Sequence, residues 1–417
     1  MNKYILFVAA FLTSAICSAQ TVYTLEQILD SARHNNISIR NAQRSIDAAQ
    51  HQRKEAFTKF FPSVSGTAAW FNANRDMAKM DMMGMSISMM KNGTIASINA
   101  TQPVFAGGQI INGNRLAKIG EDVAMLQMQL SENEVEKTAE EYYWQIISLQ
   151  EKLKTIAVVE TLLADIHKDV DVAVRAGVAM RNDLLQVQLR QNDTESQKLK
   201  IQNAISILKL LLAQYCGLRD TSFVIEHKDS RAVDFSEEPT GDVHSLPEYQ
   251  LLGKQVEAAN LQHKLAVGQN MPSVAVGAGY NYHNLLDNDR TFGMVFATVS
   301  IPISDWWGGS HTIKRKKIEH LKAVEEQQDK SELLKIRMQK AYNDVIEARQ
   351  QINIAERSIE QAEENLRLNR DYYRAGISKM TDLLEAQLLY QQALDRHTDT
   401  YADYQNKLLE YRQAIGQ

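Results

Sequence analysis

Two very long segments of this chain contain neither glycine nor proline, the residues that most often interrupt a helix. They cover 121–176 and 310–375. At a rise of 1.5 Å per residue, the 66 residues of the second segment predict a helix of about 100 Å. Because a helix of that length cannot lie inside a globular core, the pattern favours a mainly α protein built on extended helices.

The apolar residues of both segments repeat every 3.5 residues, which predicts supercoiled packing against neighbouring helices. Glu160 and His167 interrupt the first seam, and we interpret them as seam-edge residues that reach water rather than as a metal or catalytic site. The seam positions are Ala139, Tyr142, Ile146, Leu149, Leu153, Ile156, Leu163, Val170 and Val174, then Leu334, Met338, Ala341, Val345, Ala348, Ile352, Ala355, Ile359, Ala362 and Leu366.

The chain contains an internal duplication. Residues 175–189 (RAGVAMRNDLLQVQL) match 374–388 (RAGISKMTDLLEAQL) at eight of fifteen positions, and 36–64 aligns without gaps on 246–274. A unit of half the chain is too long for a solenoid repeat. We therefore predict a first structural repeat over 20–218, a linker over 219–245 and a second repeat over 246–417.

Each repeat contains two segments that read as strands. They lie at 62–72 and 94–104, and at 272–283 and 292–302. Each has about the length of a tilted strand that crosses a bilayer, and aromatic residues cluster near both ends, as at the two membrane interfaces. The alternative is a soluble β subdomain with ordinary aromatic edges.

The N-terminus has the pattern of a secretory signal peptide over 1–19. Lys3 supplies the positive charge, 4–12 is apolar, and a small residue, Ala19, precedes the expected cleavage point. Cleavage there leaves Cys216 as the single cysteine and excludes an intrachain disulfide. A lipid anchor on Cys17 is a minor alternative, since Ile16 stands where a small residue is required.

Composition narrows the class of partner. The net charge of -5 argues against a nucleic-acid backbone, and a mean hydropathy of -0.35 excludes a bundle of membrane-spanning helices. No G-x-S-x-G or H-E-x-x-H motif occurs, so we expect neither enzymatic activity nor a cofactor.

Four strands cannot close a barrel, and open strand edges are not tolerated in lipid. We therefore expect the chain to share its barrel with copies of itself. Two copies would supply eight strands, whose interior side chains would fill, whereas three copies would supply twelve and leave an open lumen. Counted in the same way, the helices predict a ring of twelve columns in a trimer.

The duplication, the two RAG…DLL turns and the strand pairs between long helices resemble the TolC-like outer membrane efflux proteins. The resemblance covers nearly the whole mature chain. It implies a homotrimer with a 12-stranded transmembrane β-barrel in the outer membrane of a Gram-negative bacterium and a coiled-coil α-helical barrel in the periplasm. It also implies two partners, a periplasmic adaptor protein and an inner-membrane transporter.

The function implied is that of a passive exit duct in a tripartite efflux pump for small molecules. Two alternatives within the duct class are a type I protein secretion system and a heavy-metal (Cu/Ag) export system. A periplasmic coiled-coil scaffold that is not a channel is the third alternative, and it leaves the four strands without a use.

The resemblance places a periplasmic gate at the helix turns. It assigns gate roles to Asp183 and Tyr373, and an acidic constriction to Asp382 and Glu385, where six carboxylates of a trimer would bind multivalent cations. The family's gate arginine corresponds to Ser378 here, and the neighbouring Lys379 is a candidate replacement. The alternative interpretation of the two aspartates is helix N-capping, which does not exclude gating.

The turns themselves are the expected adaptor contacts, with glycines suited to left-handed helix ends. They comprise Gly177, Val178, Ala179, Gly376, Ile377 and Ser378. A further feature is a methionine-rich loop over 73–93, whose thioethers could bind soft metals such as Cu(I) or simply fill an apolar loop. Its methionines are Met77, Met80, Met82, Met83, Met85, Met89 and Met90.

Overall fold

A computed structural model describes residues 22–75, 78–82, 85–89, 92–221, 223–225, 241–285, 288–303 and 305–416. The expected signal peptide lies outside the described residues, as does most of the expected linker. The chain divides into two compact units, each of which takes segments from both halves of the sequence. The helical unit contains the described residues up to Asn41, Met128–Leu246 and Leu333 onward, and the strand unit contains Ala42–Gln127 and Pro247–Glu332.

The described residues form seven α-helices, two of which are very long. The third helix has 67 residues and the sixth has 70, which confirms the two long helices expected from the sequence. None of the described helices combines the length and the apolar composition needed to cross a bilayer. The helices are α1 (Leu25–Asn35), α2 (Ile37–Thr58), α3 (Gln109–Arg175), α4 (Arg181–Cys216), α5 (Pro247–Gln269), α6 (Asp305–Arg374) and α7 (Met380–Ala414).

Both long helices begin earlier than their glycine-free segments. Helix α3 runs through Gly113 and Gly120, and α6 runs through Gly308 and Gly309. Glycine in a helix interior costs only about 1 kcal/mol relative to alanine, which the packing of a long helix readily offsets.

The heptad seams form the core of the helical unit. In α6, Val345 and Ala355 are completely buried, and they belong to the predicted seam. At the interruptions of the α3 seam, Glu160 lies 2.9 Å from Lys198 of α4, and the ring of His167 lies 3.4 Å from the amide nitrogen of Gln188. The two polar residues are partly buried at the seam edge and bind side chains of α4.

A break at Asn36 separates α1 from α2. Asn36 leaves the helical conformation, and its side chain donates to the carbonyl of Tyr215 at 3.0 Å while accepting from the amide of Ser38 at 2.8 Å. A single asparagine that bonds both to its own backbone segment and to a neighbouring helix thus separates the two helices.

The strand unit contains a four-stranded antiparallel sheet in the order β2 (Ser63–Asn72), β5 (Asn92–Ala106), β7 (Ser273–Leu285) and β8 (Asn288–Ser300). This confirms the four long strands expected from the sequence. Ser63 pairs with Thr101, Ala106 with Ser273, and Ser273 with Ser300. The four strands therefore each have one terminus at the same end of the sheet. All described strands are β1 (Val22–Tyr23), β2 (Ser63–Asn72), β3 (Ala78–Met82), β4 (Met85–Met89), β5 (Asn92–Ala106), β6 (Val224–Ile225), β7 (Ser273–Leu285) and β8 (Asn288–Ser300).

The sheet is open within one chain. Among the described residues, no further strand pairs with the outer edges of β2 and β8. Both outer strands also expose apolar side chains: Trp70 of β2 is 71% exposed and Val295 of β8 is 85% exposed. Isolated strands with unpaired edges and bare apolar faces require a partner surface.

The methionine-rich segment is a hairpin rather than the loop expected from the sequence. Strands β3 and β4 pair with each other in a separate antiparallel sheet, with Met82 opposite Met85. The alternation of methionine with serine, lysine and aspartate has the period of two that a strand requires. Met77, Met83 and Met90 lie outside the described residues.

A close backbone approach occurs in the strand unit between the turn after β5 and the end of α5. Gly107 adopts a left-handed conformation with φ of 59°. A side-chain carbon built on Gly268 would lie 2.3 Å from the carbonyl oxygen of Gly107, so only glycine fits there.

Candidate gate at the helix turns

The two turns of the duplicated sequence have the same hydrogen bonds. Gly177, after α3, has φ of 76° and Gly376, after α6, has φ of 72°. In the first turn the amide of Val178 donates to Ala173 at 2.9 Å, and in the second the amide of Ile377 donates to Tyr372 at 2.9 Å. Both are left-handed helix ends in which the following amide reaches back five residues.

The turns present apolar side chains to solvent in the single chain. Val178 is 80% exposed, Ile377 is 75% exposed and Met180 is 74% exposed. A side-chain carbon built on Gly177 or Gly376 would have no described neighbour within 4 Å. Within the described residues, these turns are open surfaces suited to contact with another protein.

The two aspartates after the turns do cap the helices, but from a position three residues later than the N-cap. Met180 and Lys379 occupy the N-cap positions of α4 and α7. The carboxylate of Asp183 accepts from the amide of Met180 at 3.3 Å, and that of Asp382 accepts from the amide of Lys379 at 3.1 Å. Acidic residues in the first turn also match the positive end of the helix dipole.

Four of the six expected gate residues lie around one cleft of about 730 Å³ between the two turns. They are Asp183, Tyr373, Ser378 and Lys379. The other two, Asp382 and Glu385, do not line the cleft and are exposed on α7. The structure thus separates the expected gate into a cleft and an exposed acidic pair.

Tyr373 is partly buried, and burial raises the pKa of its phenol, with the negative charge of Asp183 as the second cause. Its hydroxyl has no hydrogen-bond partner among the described residues of this chain. Because a buried hydroxyl without a partner costs about 1–3 kcal/mol, this atom is suited to a partner supplied by a second chain.

Ser378, which stands where the resemblance expects a gate arginine, carries no charge. The hydroxyl of Ser378 lies 3.4 Å from the carbonyl of Asn369 and donates to it, so it turns back toward α6. Lys379 borders the cleft, but it forms no ion pair with any described residue.

The ion pairs of the turn region come from residues that the sequence analysis did not single out. Arg374 of α6 lies 2.8 Å from Asp169 of α3, and one helical turn earlier Arg370 lies 3.9 Å from Asp165. Both pairs join the two halves of the duplication. The sequence does contain a sign of these pairs. Asp165 and Asp169 are four residues apart, as are Arg370 and Arg374, so each set of like charges lies on one helix face.

A buried polar network lies on α4 and α7. Arg190 donates to the amide oxygens of Gln387 at 2.9 Å and Gln391 at 3.4 Å, and Gln391 donates to Gln197 at 3.0 Å. Gln387 is completely buried. Burial lowers the pKa of Arg190, and the network provides amide oxygens for its guanidinium in place of water.

No cluster of His, Cys, Asp or Glu side chains suited to a metal ion occurs among the described residues. The methionine side chains of β3 and β4 are not described, so the expected soft-metal loop stays a prediction.

The comparisons with known proteins agree with this architecture. The sequence matches the outer membrane efflux protein family over residues 28–218 and 250–417. No curated protein sequence matches the chain.

Solved structures of three outer membrane proteins share the fold. The protein VceC from Vibrio cholerae is 16% identical, with a TM-score of 0.80 over 94% of this chain and 96% of that one. The CmeC channel from Campylobacter jejuni is 15% identical, with a TM-score of 0.81 over 94% and 85%. The MtrE channel from Neisseria gonorrhoeae, solved in its open state, is 14% identical, with a TM-score of 0.74 over 94% and 88%.

Four strands in one chain fit a barrel completed by three chains, and the two long helices fit the helical part of such a channel. The family match covers well over half of the sequence, in both repeats. The chain belongs to the outer membrane efflux protein family, whose members are channels of the outer membrane of Gram-negative bacteria.

Proposed function

We propose that three copies of this chain form the passive exit duct of a tripartite efflux pump that exports small molecules. The observation that carries this proposal is the open sheet: β2 and β8 have unpaired edges in the described chain, and three such sheets supply twelve strands. Joining β8 of one copy to β2 of the next satisfies every edge, which a bilayer demands.

The duct requires a closed resting state, and the turn region supplies the groups for it. In this proposal the pairs Asp169–Arg374 and Asp165–Arg370 hold the two repeats of each copy together at the cleft. Asp183 and Tyr373 border the same cleft, and the unsatisfied Tyr373 hydroxyl finds its partner in the assembled trimer. The exposed carboxylates Asp382 and Glu385 form the acidic constriction.

The exposed turns form the docking surface for the periplasmic adaptor protein, which in turn contacts the inner-membrane transporter. Val178 and Ile377 offer bare apolar side chains, and left-handed Gly177 and Gly376 keep the backbone of the turn compact. An adaptor helix that covers these residues removes apolar surface from water.

The oligomer and the channel are tested with the purified full chain. Mass measurement in detergent should give three copies, and insertion into a planar lipid bilayer should give discrete conductance steps. A monomer without conductance would refute the duct.

Cargo is tested by deleting the gene and screening for sensitivity to drugs, dyes, copper and silver. Sensitivity to drugs and dyes, restored by the wild-type gene, supports small-molecule export. Sensitivity to metals alone would instead favour metal export, and unchanged sensitivity with loss of a secreted protein would favour secretion.

The gate is tested at Asp183 with two substitutions that separate capping from charge. Asp183→Asn retains an oxygen for the amide of Met180, whereas Asp183→Ala removes the cap as well. A rise in closed-state conductance with both variants supports gating by the charge, whereas a rise with Asp183→Ala alone, or with neither variant, returns Asp183 to capping.

A further inference from the structure

Basic residues are concentrated where the helices of the strand unit adjoin the sheet. The end of the sheet where β2 and β7 start and β5 and β8 finish is here called the strand base. The helical segments next to it are 53–61, 107–121, 258–271 and 305–322. They contain eleven Lys and Arg against four Asp and Glu, whereas the whole chain has 46 against 51.

Part of this charge surrounds a cleft of about 570 Å³ between α2 and α3, here called the headgroup cleft. Its walls carry four cations and two aromatic rings, and the single acidic group, Glu121, is already paired with one of the cations at 2.7 Å. The lining side chains used here are Arg53, Lys54, Arg115, Lys118, Phe57 and Phe60.

Three of the four cations have no carboxylate of their own. Lys54, Arg115 and Lys118 are exposed and form no ion pair with any described residue. Like charges that share one cleft repel each other, and an anion that enters relieves this repulsion. The cleft therefore favours a ligand with a negative charge.

The same cleft offers apolar surface beside the charge. Phe57 and Phe60, which line the cleft, are 54% and 40% exposed. Exposed aromatic rings next to the ends of membrane strands are typical of the boundary between hydrocarbon and headgroups. Cations that suit a phosphate, next to aromatic rings that suit acyl chains, favour a phospholipid over a soluble anion.

We propose that the headgroup cleft binds an anionic phospholipid of the leaflet that surrounds the strand base. The phosphate and glycerol of phosphatidylglycerol contact Lys54, Arg115 and Lys118, and the acyl chains follow the exposed aromatic rings toward the strands. The run of four cations from Lys314 to Lys317 adds long-range attraction to the same anionic surface. This inference rests on the barrel of the proposed function and adds a lipid ligand to it.

The experiment titrates the purified full chain in detergent with phosphatidylglycerol or phosphatidylcholine and counts bound lipids by native mass spectrometry. The wild type should prefer phosphatidylglycerol. The variant Lys54→Gln, Arg115→Gln, Lys118→Gln should lose that preference by at least about fivefold, since each cation near an anionic lipid contributes about that factor. Inorganic phosphate should not displace the lipid, because it lacks the acyl chains.

Two matched variants test whether the positive charge of the headgroup cleft causes the preference for phosphatidylglycerol. Lys54→Arg, Arg115→Lys, Lys118→Arg keeps the charge and should keep the preference. Lys168→Gln, Arg181→Gln, Lys200→Gln removes three exposed cations from the helical unit and should also keep it. Displacement by phosphate, equal binding of both lipids by the wild type, or an equal loss in the helical-unit variant would overturn the proposal. The same spectra report the number of chains, so failure of the trimer is seen separately.

Discussion

Arg374 on α6 lies 2.8 Å from Asp169 on α3, so a direct ion pair joins the two repeats next to their turns. Both side chains are about half exposed, at 52% and 46%. Exposed pairs contribute little to the free energy of unfolding, at most about 1 kcal/mol, and salt screens them. The pair is therefore suited to hold a local conformation that other forces can release.

Breaking this pair should open the duct without unfolding it. Asp169→Asn or Arg374→Gln should raise the closed-state conductance in planar bilayers, because the two repeats lose the ion pair that joins them next to the turns. Exchanging the charges, with Asp169→Arg and Arg374→Asp in one chain, should restore the closed state.

The matched control lies two residues away on the same helix. Asp171 pairs with Arg175 at 2.6 Å within α3 and forms no ion pair with the described residues of α6. Asp171→Asn should leave the closed-state conductance unchanged. An equal rise in this control would mean that the overall charge of the turn region, rather than the pair, sets the conductance.

Removing the exposed carboxylates of α7 should weaken block of the channel by divalent and trivalent cations. Asp382→Asn with Glu385→Gln keeps the shape of both side chains and leaves an acceptor for the amide of Lys379, so the helix end is preserved. Single-channel recordings with added cation measure the block.

The control for this pair removes the same charge from exposed positions of α6, with Glu347→Gln and Glu360→Gln. It should not alter the block. If the α7 variant is blocked as strongly as the wild type, the two carboxylates do not line the constriction.

The close approach of the backbones at Gly107 and Gly268 predicts that alanine has opposite effects on stability at two glycines of α5. Gly268→Ala should destabilise the protein by about 1–3 kcal/mol, since its new methyl would meet the carbonyl of Gly107. Gly253→Ala meets only Gln327, at 3.6 Å, and should stabilise α5 by up to about 1 kcal/mol. Thermal unfolding followed by circular dichroism measures both, and equal melting temperatures would contradict the prediction.

The buried thiol at the end of α4 predicts a stability loss at alkaline pH. Burial raises the pKa of Cys216 from 9.0 to about 12. The folded chain therefore keeps a proton that the unfolded chain releases, so this contribution to stability is complete below pH 9 and is lost as the pH rises toward 12. At pH 10.5 the loss should be on the order of 2 kcal/mol.

The measurement compares the free energy of unfolding of the wild type and Cys216→Ala at pH 8 and pH 10.5. The alanine variant lacks the titrating group, so its stability should fall less over that interval. Parallel losses in the two proteins would show that other groups cause the alkaline effect.

Much of the fold was predictable because its determinants are local. Segments without glycine and proline gave the two long helices, the heptad gave buried residues such as Val345 and Ala355, and glycine marked both turns at Gly177 and Gly376. Each of these features depends on residues within a few turns of one another.

The parts that the sequence did not reveal depend on residues brought together by packing. The hydrogen bond from Asn36 to the carbonyl of Tyr215 joins positions 179 apart, and the pair between Asp169 and Arg374 joins positions 205 apart. The assignment of Asp183 to an N-cap was displaced by three residues, because Met180, which has no capping group, opens α4.

By itself, the sequence determined the two long helices, the four strands of the larger sheet and the two similar turns, since periodicity and backbone preference act over short distances along the chain. Only the tertiary structure decided which charges meet at the turns, because an ion pair depends on a distance of a few ångströms between groups that the sequence separates by half its length.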